Sequence, residues 1–426
     1  MLRWLYSALW YAVTPFIRRY LRKRAKKAPA YLDHWNERFG HDLVANSKAA
    51  IWVHAVSVGE TRAALPLIQA LRARWPDAPL LVTQMTPTGR ATATDLYGSD
   101  AEIHYLPYDY PGAVRRFLEC YQPKFGVLME TELWPNLIAA AEQLGIPLFL
   151  ANARLSSKSL AGYQKIAWLM RPALRQLTAV AAQTTQDAER LCLLGAKNIS
   201  VCGNTKFDFS PPPAQLELGR RFKQLIGSRQ VIVCASTRAG EEQLILSAWQ
   251  AQCSDYLLVI VPRHPERFAE VGALAQQLGY TVQYRSDQQP ISDETQVWIG
   301  DSMGELFAYY RCADLVFIGG SLLPLGGQNL IEPASVGVPV LMGPSTYNFA
   351  TASSQAFACG AAVKIQTADE IVVKVNDILI DKNQMVSMRL AALNFSTEHR
   401  GASQKIANLI WRNIKENNEL GTRTVS

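Results

Sequence analysis

The chain has 426 residues, and because one hydrophobic core stops growing near ~250 to 300 residues, two domains are expected. An apolar fraction of 49% with 19% charged residues excludes a disordered chain, and a net charge of +7 is modest for this length. Cys120, Cys192, Cys202, Cys234, Cys253, Cys312 and Cys359 are scattered singly, which excludes a disulfide framework or a zinc site and predicts free thiols in a reducing compartment.

Met1 to Ile17 is almost wholly apolar, with Leu2, Leu5, Leu9, Val13, Phe16 and Ile17 on one helical stripe. The run is shorter than the ~20 residues that a bilayer core requires, and it carries Arg3 and Pro15. Its charges follow the apolar stretch, so neither a clean membrane span nor a secretion signal is predicted. Arg18, Arg19, Arg22, Lys23, Arg24, Lys26 and Lys27 come next with no acid among them, a cluster suited to an anionic surface. Residues 1–30 are therefore read as a membrane-associating apolar helix with a basic segment; a helix packed on its own domain is the alternative.

Between residues 31 and 203, short apolar runs alternate with helical patterns: Ile51–Val56, Leu80–Met85, Ile103–Leu106, Phe125–Met129, Pro147–Ala151 and Val180–Ala182. This is the βαβ rhythm of a parallel sheet in an α/β domain. The first run passes through Gly59 into a helix whose first turn holds Glu60, at the sheet edge where ligands bind and free N–H groups attract anions. A carboxylate stands out there. Met129-Glu-Thr-Glu-Leu-Trp-Pro-Asn136 sits at another strand end, with Glu130 expected toward the cleft and Glu132 read as an ordinary acid at a helix N-terminus. His54, mid-strand, reads as a core histidine, and the histidines show no metal-binding spacing.

Gly203–Pro213 breaks the rhythm with consecutive prolines, so residues 204–213 are read as an interdomain linker carrying Lys206. A second series, Val231–Ala235, Leu257–Val261, Val297–Ile299, Leu315–Ile318 and Pro339–Leu341, predicts another α/β domain of the same kind over 214–426, ending in helices. Its turns hold the candidates for nucleotide binding. Pro262 and Arg263 follow one strand, with Arg263 suited to a phosphate. Met303, Gly304 and Glu305 follow another and offer backbone groups to a base or sugar. The run Gly319–Ala334 has glycines whose N–H groups suit a phosphate, with Asn329 as a helix cap and Glu332 as an acceptor for ribose hydroxyls. Ser236–Glu242 forms a fourth turn. No Gly-x-Gly-x-x-Gly or Walker motif is present.

Lys27–Tyr31, His54–Glu60, Met85–Gly89, Leu106–Asp109, Met129–Asn136, Ala151–Ser156, Lys206–Asp208, Pro262–Arg267 and Gly319–Ser321 together resemble the 3-deoxy-D-manno-octulosonic acid (Kdo) transferases of lipid A and lipopolysaccharide core assembly. The resemblance runs nearly end to end. It implies an α/β fold of two Rossmann-like domains with parallel sheets facing a central cleft, the GT-B type of inverting glycosyltransferase, with an N-terminal membrane-associating helix. It also implies transfer of Kdo from CMP-Kdo to a lipid A precursor (lipid IVA) on the cytoplasmic face of the inner membrane, without a metal or other cofactor and without nucleic acid. By motif, Glu60 resembles the catalytic base, and Glu130 and Lys206 resemble residues that support the transition state. CMP contacts fall on Pro262, Arg263, Met303, Gly304, Glu305, Asn329, Leu330, Ile331 and Glu332, with Leu330 and Ile331 limited to backbone. The N–H groups around Glu60 are expected to keep it ionised. Arg238 departs from the family, which usually shows histidine there. A UDP-sugar transferase or epimerase of similar architecture, or a non-catalytic membrane-bound sugar-nucleotide-binding protein, remain the alternatives.

Overall fold

A parallel sheet buries both of its faces, so its strands are unbroken apolar runs. The computed structural model describes residues 3–250 and 256–423; Met1, Leu2 and Cys253 of the sequence reading lie outside them. The other six cysteines are free thiols. The chain divides into two units, one running to Asp208 and resuming at Arg400, the other spanning Phe209–His399.

The first unit holds seven parallel strands, β1 (Ile51–His54), β2 (Leu80–Gln84), β3 (Glu102–Tyr105), β4 (Phe125–Met129), β5 (Leu148–Ala153), β6 (Ala179–Ala182) and β7 (Ile199–Val201). They are ordered β3-β2-β1-β4-β5-β6-β7. Alternate residues enter two cores: Trp52, Leu81, Leu128 and Leu150 on one face, and Ile51, Val53, Val82, Val127 and Phe149 on the other. Gly126 in β4 lies against the Trp52 indole, where a Cβ would stand 2.5 Å from Trp52 Cε3. His54 is buried with Nδ1 2.9 Å from Thr83 Oγ1, and burial pushes its imidazole down to about 3, as befits a neutral core histidine.

The second unit repeats the scheme with β8 (Val231–Thr237), β9 (Leu257–Pro262), β10 (Val282–Tyr284), β11 (Val297–Ile299), β12 (Leu315–Ile318), β13 (Val340–Met342) and β14 (Ala362–Lys364), ordered β10-β11-β9-β8-β12-β13-β14. All its pairings are parallel too. The apolar pattern misses β7, β10 and β14. Each has three residues, and most of their side chains are only part-buried, so they lack the continuous apolar signature.

Two expectations need correction. The terminal helix Ala402–Arg423 belongs to the first unit, not to the second: Ile406, Ala407, Ile410 and Ile414 complete the core that contains Ile51 and Val53, and the Trp411 and Trp75 rings lie 4.9 Å apart. Residues 204–208 are not a free linker either. The Thr205 N–H donates to Asn152 Oδ1, Phe207 is buried, and the Asp208 carboxylate accepts the N–H groups of Gly401, Ala402 and Ser403 at the start of the terminal helix. Among the described residues no helix is long and apolar enough to cross a membrane. Helix Arg3–Ala25 packs on the first unit, with Trp10 stacked against Tyr108 and Trp134, and Thr14 Oγ1 2.8 Å from the Tyr110 hydroxyl.

Replacing Asp208 with alanine removes a charged cap from the terminal helix and is expected to cost about 1–2 kcal/mol in urea unfolding, whereas Asp208→Asn should lose less.

Candidate functional site

In the first unit the strand order reverses between β1 and β4, and the crevice at such a switch point is where open α/β sheets bind ligands. Beyond β1 the chain turns at Ser57, whose extended backbone and side chain cap helix Val58–Arg72. Ser57-Val-Gly-Glu60 has the spacing of a capping box, and the Glu60 carboxylate folds back onto the turn. Its Oε2 accepts the Val56 N–H at 2.8 Å, and its Oε1 accepts the Ser57 hydroxyl at 2.9 Å. Burial pushes this carboxyl up to about 7; the Val56 N–H opposes that shift, and the charges of Glu130 and Glu132 reinforce it. The expectation that N–H groups would hold Glu60 ionised is thereby corrected. The donors are present, but burial and two neighbouring carboxylates outweigh them.

Glu130 ends β4 in the left-handed region, φ 56°, which a side chain rarely adopts without support. Its N–H is held by the Ala151 carbonyl at 2.8 Å, and its Oε1 lies 3.0 Å from Lys206 Nζ. Lys206 is placed by the turn at Thr205–Phe207: Asn204 Oδ1 accepts the Lys206 N–H at 2.9 Å, and Asn152, also left-handed at φ 54°, accepts the Thr205 N–H at 3.1 Å. Glu60, Glu130 and Lys206 are thus gathered in one unit. The sequence reading had no role for Asn152, although its motif was in view.

Glu132 differs from expectation. Helix Pro135–Gln143 begins after it, and its Oε2 accepts the Trp134 indole N–H at 2.8 Å. Burial raises its proton affinity, as does the charge of Glu130. It is a member of the acidic cluster rather than an exposed first-turn acid.

In the second unit the order reverses between β8 and β12. Three predicted turns share the carboxyl edge of this sheet. Pro262 closes β9, and the half-buried Arg263 anchors its N–H on the Thr237 carbonyl at 3.0 Å. Past β11, Met303 is exposed, the Gly304 carbonyl accepts from the Gln215 amide, and Glu305 meets the Arg285 guanidinium at 3.2 and 3.3 Å. After β12, Asn329 Oδ1 accepts the Ile331 N–H at 3.0 Å, and its Nδ2 donates to Glu332 Oε1 at 3.1 Å. Leu330 and Ile331 are fully buried, so they can present only backbone. The charges of both Glu332 and Arg263 reach the buried Tyr310 phenol, whose proton affinity burial raises.

The glycine run departs from the reading that its amides await a phosphate. The buried Glu241 carboxylate accepts the N–H groups of Gly320 at 2.6 Å, Leu322 at 3.0 Å and Arg238 at 3.0 Å. The Gly327 and Gln328 N–H groups return to the carbonyls of Gly320 and Gly319. Gly319 lies so close to the β8 turn that a Cβ would stand 2.4 Å from the Ser236 carbonyl oxygen. Arg238 joins this packing through its backbone N–H to Glu241 and through its side chain, whose Cγ lies 3.6 Å from where a Gly320 Cβ would be.

The sequence model described as "3-Deoxy-D-manno-octulosonic-acid transferase (kdotransferase)" matches residues 33–209. A 3-deoxy-D-manno-octulosonic acid transferase from Bordetella pertussis is 39% identical over 95% of this chain and 97% of its own length. One from Haemophilus influenzae is 34% identical over 98% of this chain and its full length. The crystal structure of a UDP-GlcNAc 2-epimerase from Neisseria meningitidis bound to UDP-GlcNAc superposes with a TM-score of 0.59, covering 85% of this chain and all of that one. At 15% identity that likeness concerns the fold alone. Identity of this extent to two transferases, over a chain of two Rossmann-like units, decides the matter: the chain belongs to the 3-deoxy-D-manno-octulosonic acid transferase family of glycosyltransferases.

Proposed function

We propose that this Kdo transferase moves Kdo from CMP-Kdo to a hydroxyl of a lipid A precursor, with Glu60 as the general base. The observation that carries this reading is the Glu60 carboxyl itself, gripped by two donors and pushed up to about 7 beside the Glu130–Lys206 pair. A base poised near the working pH takes a proton efficiently. As the hydroxyl oxygen attacks the anomeric carbon, its proton passes to Glu60. The bond from that carbon to the phosphate oxygen breaks, CMP leaves with the electron pair, and the configuration inverts. Lys206, oriented by Glu130, stabilises negative charge on the reacting groups. In the second unit Arg263 binds the phosphate, Asn329 and Glu332 the ribose, and the backbone around Met303–Glu305 the base, with Pro262, Leu330 and Ile331 shaping the contact.

The acceptor reading draws on helix Arg3–Ala25, whose Trp4 and Phe16 are 63% and 72% exposed with Leu9 and Tyr20 also outward, ahead of the basic run. Aromatic and basic residues on one helix suit the interface of an anionic bilayer, at about 1 kcal/mol per basic residue near the surface. A groove of about 780 Å³ lined by Trp4, Tyr11, Trp168 and Leu169 opens beside Pro135, close in sequence to the acidic loop. Our reading sets the protein at the cytoplasmic face of the inner membrane; the exposed aromatics and the basic run support contact with an anionic surface.

Glu60→Gln is expected to slow CMP release with lipid acceptor by about 10²–10⁴-fold while leaving CMP affinity intact. A near wild-type rate would sink the assignment. Because the ionised form accepts the proton, the wild-type rate should fall as pH drops through about 7 and level off above it. Arg263→Ala should weaken CMP binding by about 10–100-fold in calorimetry, the loss of one charge-assisted contact. Vesicles of anionic lipid should sediment with the wild-type chain, and serine at Trp4 and Phe16 should reduce that fraction.

A further inference from the structure

The loop joining β4 to helix Pro135–Gln143 contains a carboxylate that the proposed chemistry leaves idle. Glu132 accepts the Trp134 indole N–H at 2.8 Å, and its charge reaches Glu60 and the Tyr163 phenol of helix Ser157–Lys165. Trp134 in turn lies against Trp10 of helix Arg3–Ala25, with centroids 6.2 Å apart and ring planes inclined by 29°. The same helix grips the far end of the loop. Ser7 Oγ donates to Asn136 Oδ1 at 3.1 Å, while Asn136 Nδ2 donates to the Asp109 carbonyl at 2.7 Å. The buried Asp109 carboxylate accepts the N–H groups of Asn136 and Leu137, capping the helix that the loop enters.

We infer that Trp134 and Glu132 are positioning residues, and that helix Arg3–Ala25, through the Trp10–Trp134 stack, holds the Glu132 carboxylate where it sets the charge around Glu60. The aromatic pair contributes rigidity that a single indole–carboxylate hydrogen bond at a half-buried site lacks, since such pairs add about 0.5–1.5 kcal/mol beyond their buried area. The indole donor stabilises Glu132 in its charged form, and that charge raises the proton affinity of Glu60. A helix that meets the membrane is thereby wired to the group that takes the acceptor's proton. Around this loop the titratable and charged groups are Glu60, Glu130 with its partner Lys206, Tyr163, Asp109, Tyr6 and Arg3, whose charge acts on Asp109.

The inference rests on Glu60 being the base, and the test keeps the two apart. The pH profile of CMP release is measured on the full chain in vesicles with lipid acceptor, for wild type, Glu132→Gln, Trp134→Phe, Trp10→Leu and the Trp10→Leu/Trp134→Phe pair. Removing the Glu132 charge should move the acidic limb to lower pH, while burial and Glu130 keep it above the ordinary carboxylate range. Trp134→Phe keeps the ring but loses the donor, so Glu132 binds a proton more readily and the limb should move the same way by less. Trp10→Leu should also lower the limb, and the double variant should match Trp134→Phe alone, because both act through one carboxylate. An even loss of rate with the limb unmoved in Glu132→Gln and Trp134→Phe overturns the positioning roles. A limb that moves in those two but not in Trp10→Leu overturns the part given to the helix. If Trp134→Phe folds poorly, Glu132→Gln still reads the limb, since the amide oxygen can accept the indole N–H. A Glu60→Gln variant that keeps its rate would instead count against Glu60 as the base.

Discussion

Three carboxylates share the crevice where the first sheet reverses its strand order, and Lys206 is paired with one of them. Burial is the larger penalty on a carboxylate here and the neighbouring like charges add to it, and one group is pushed up furthest. That group is Glu60, which holds its proton to about pH 7. Much of the surrounding backbone serves to keep this cluster together. Glu130 adopts a left-handed conformation at the end of β4, and Asn152 does the same at the end of β5, the neighbouring strand. Asn152 then fixes the turn that brings Lys206 to Glu130, and Asp208 in the same segment caps the terminal helix that closes the core beneath. A turn that looks like a linker is therefore tied to both the charge cluster and the core.

Much of this was legible in order and little of it in three dimensions. The runs around Ile51, Phe125, Val231 and Leu315 are long enough and apolar enough to declare buried parallel strands, and the fold follows from their alternation with helices. Edge strands such as Val282–Tyr284 escape because a half-covered strand needs no apolar run. The terminal helix escapes for a different reason. Its apolar stripe shows that it packs, but not on which sheet, and its place is decided by a carboxylate nearly two hundred residues earlier in the chain. Glu60 stood out from its position alone, yet the sign of its shift was misjudged, because Glu130 and Glu132 lie more than sixty residues away and reach it only through the pairing of β1 with β4.

The second unit meets a similar problem with an internal acid. A glycine-rich turn at a strand end suggests amides waiting for phosphate, but here Glu241 occupies that role from within, taking N–H groups of Gly320, Leu322 and Arg238. An anion is needed at such a concavity, and the chain supplies its own. Arg263 lies beside the turn, and Asn329, bonded to Glu332, leads into the following helix. The glycines serve close packing, as the contact of Gly319 with the Ser236 carbonyl shows. This also explains why arginine can stand at position 238: its backbone N–H, which any residue but proline offers, is the group that Glu241 binds.

The stretch Met129–Asn136 shows why a motif can identify a family before any of its residues has a role. Glu130 contributes charge, Thr131 donates to the Arg154 carbonyl, and Glu132 takes the Trp134 indole N–H. Pro135 opens the next helix at a position where its missing N–H costs nothing, and Asn136 bridges Asp109 to Ser7. Glu130, Thr131, Trp134 and Asn136 are constrained by partners from other parts of the chain: the turn at Lys206, the β5 loop, the Leu106–Asp109 motif and helix Arg3–Ala25. Substituting one residue leaves its distant partner unsatisfied, so the sequence of the whole loop is held together by contacts that its own spacing does not reveal. The charge that Glu130 and Glu132 place beside the Glu60 carboxyl depends on that shared restraint, because it is fixed in position only while the loop is held in place.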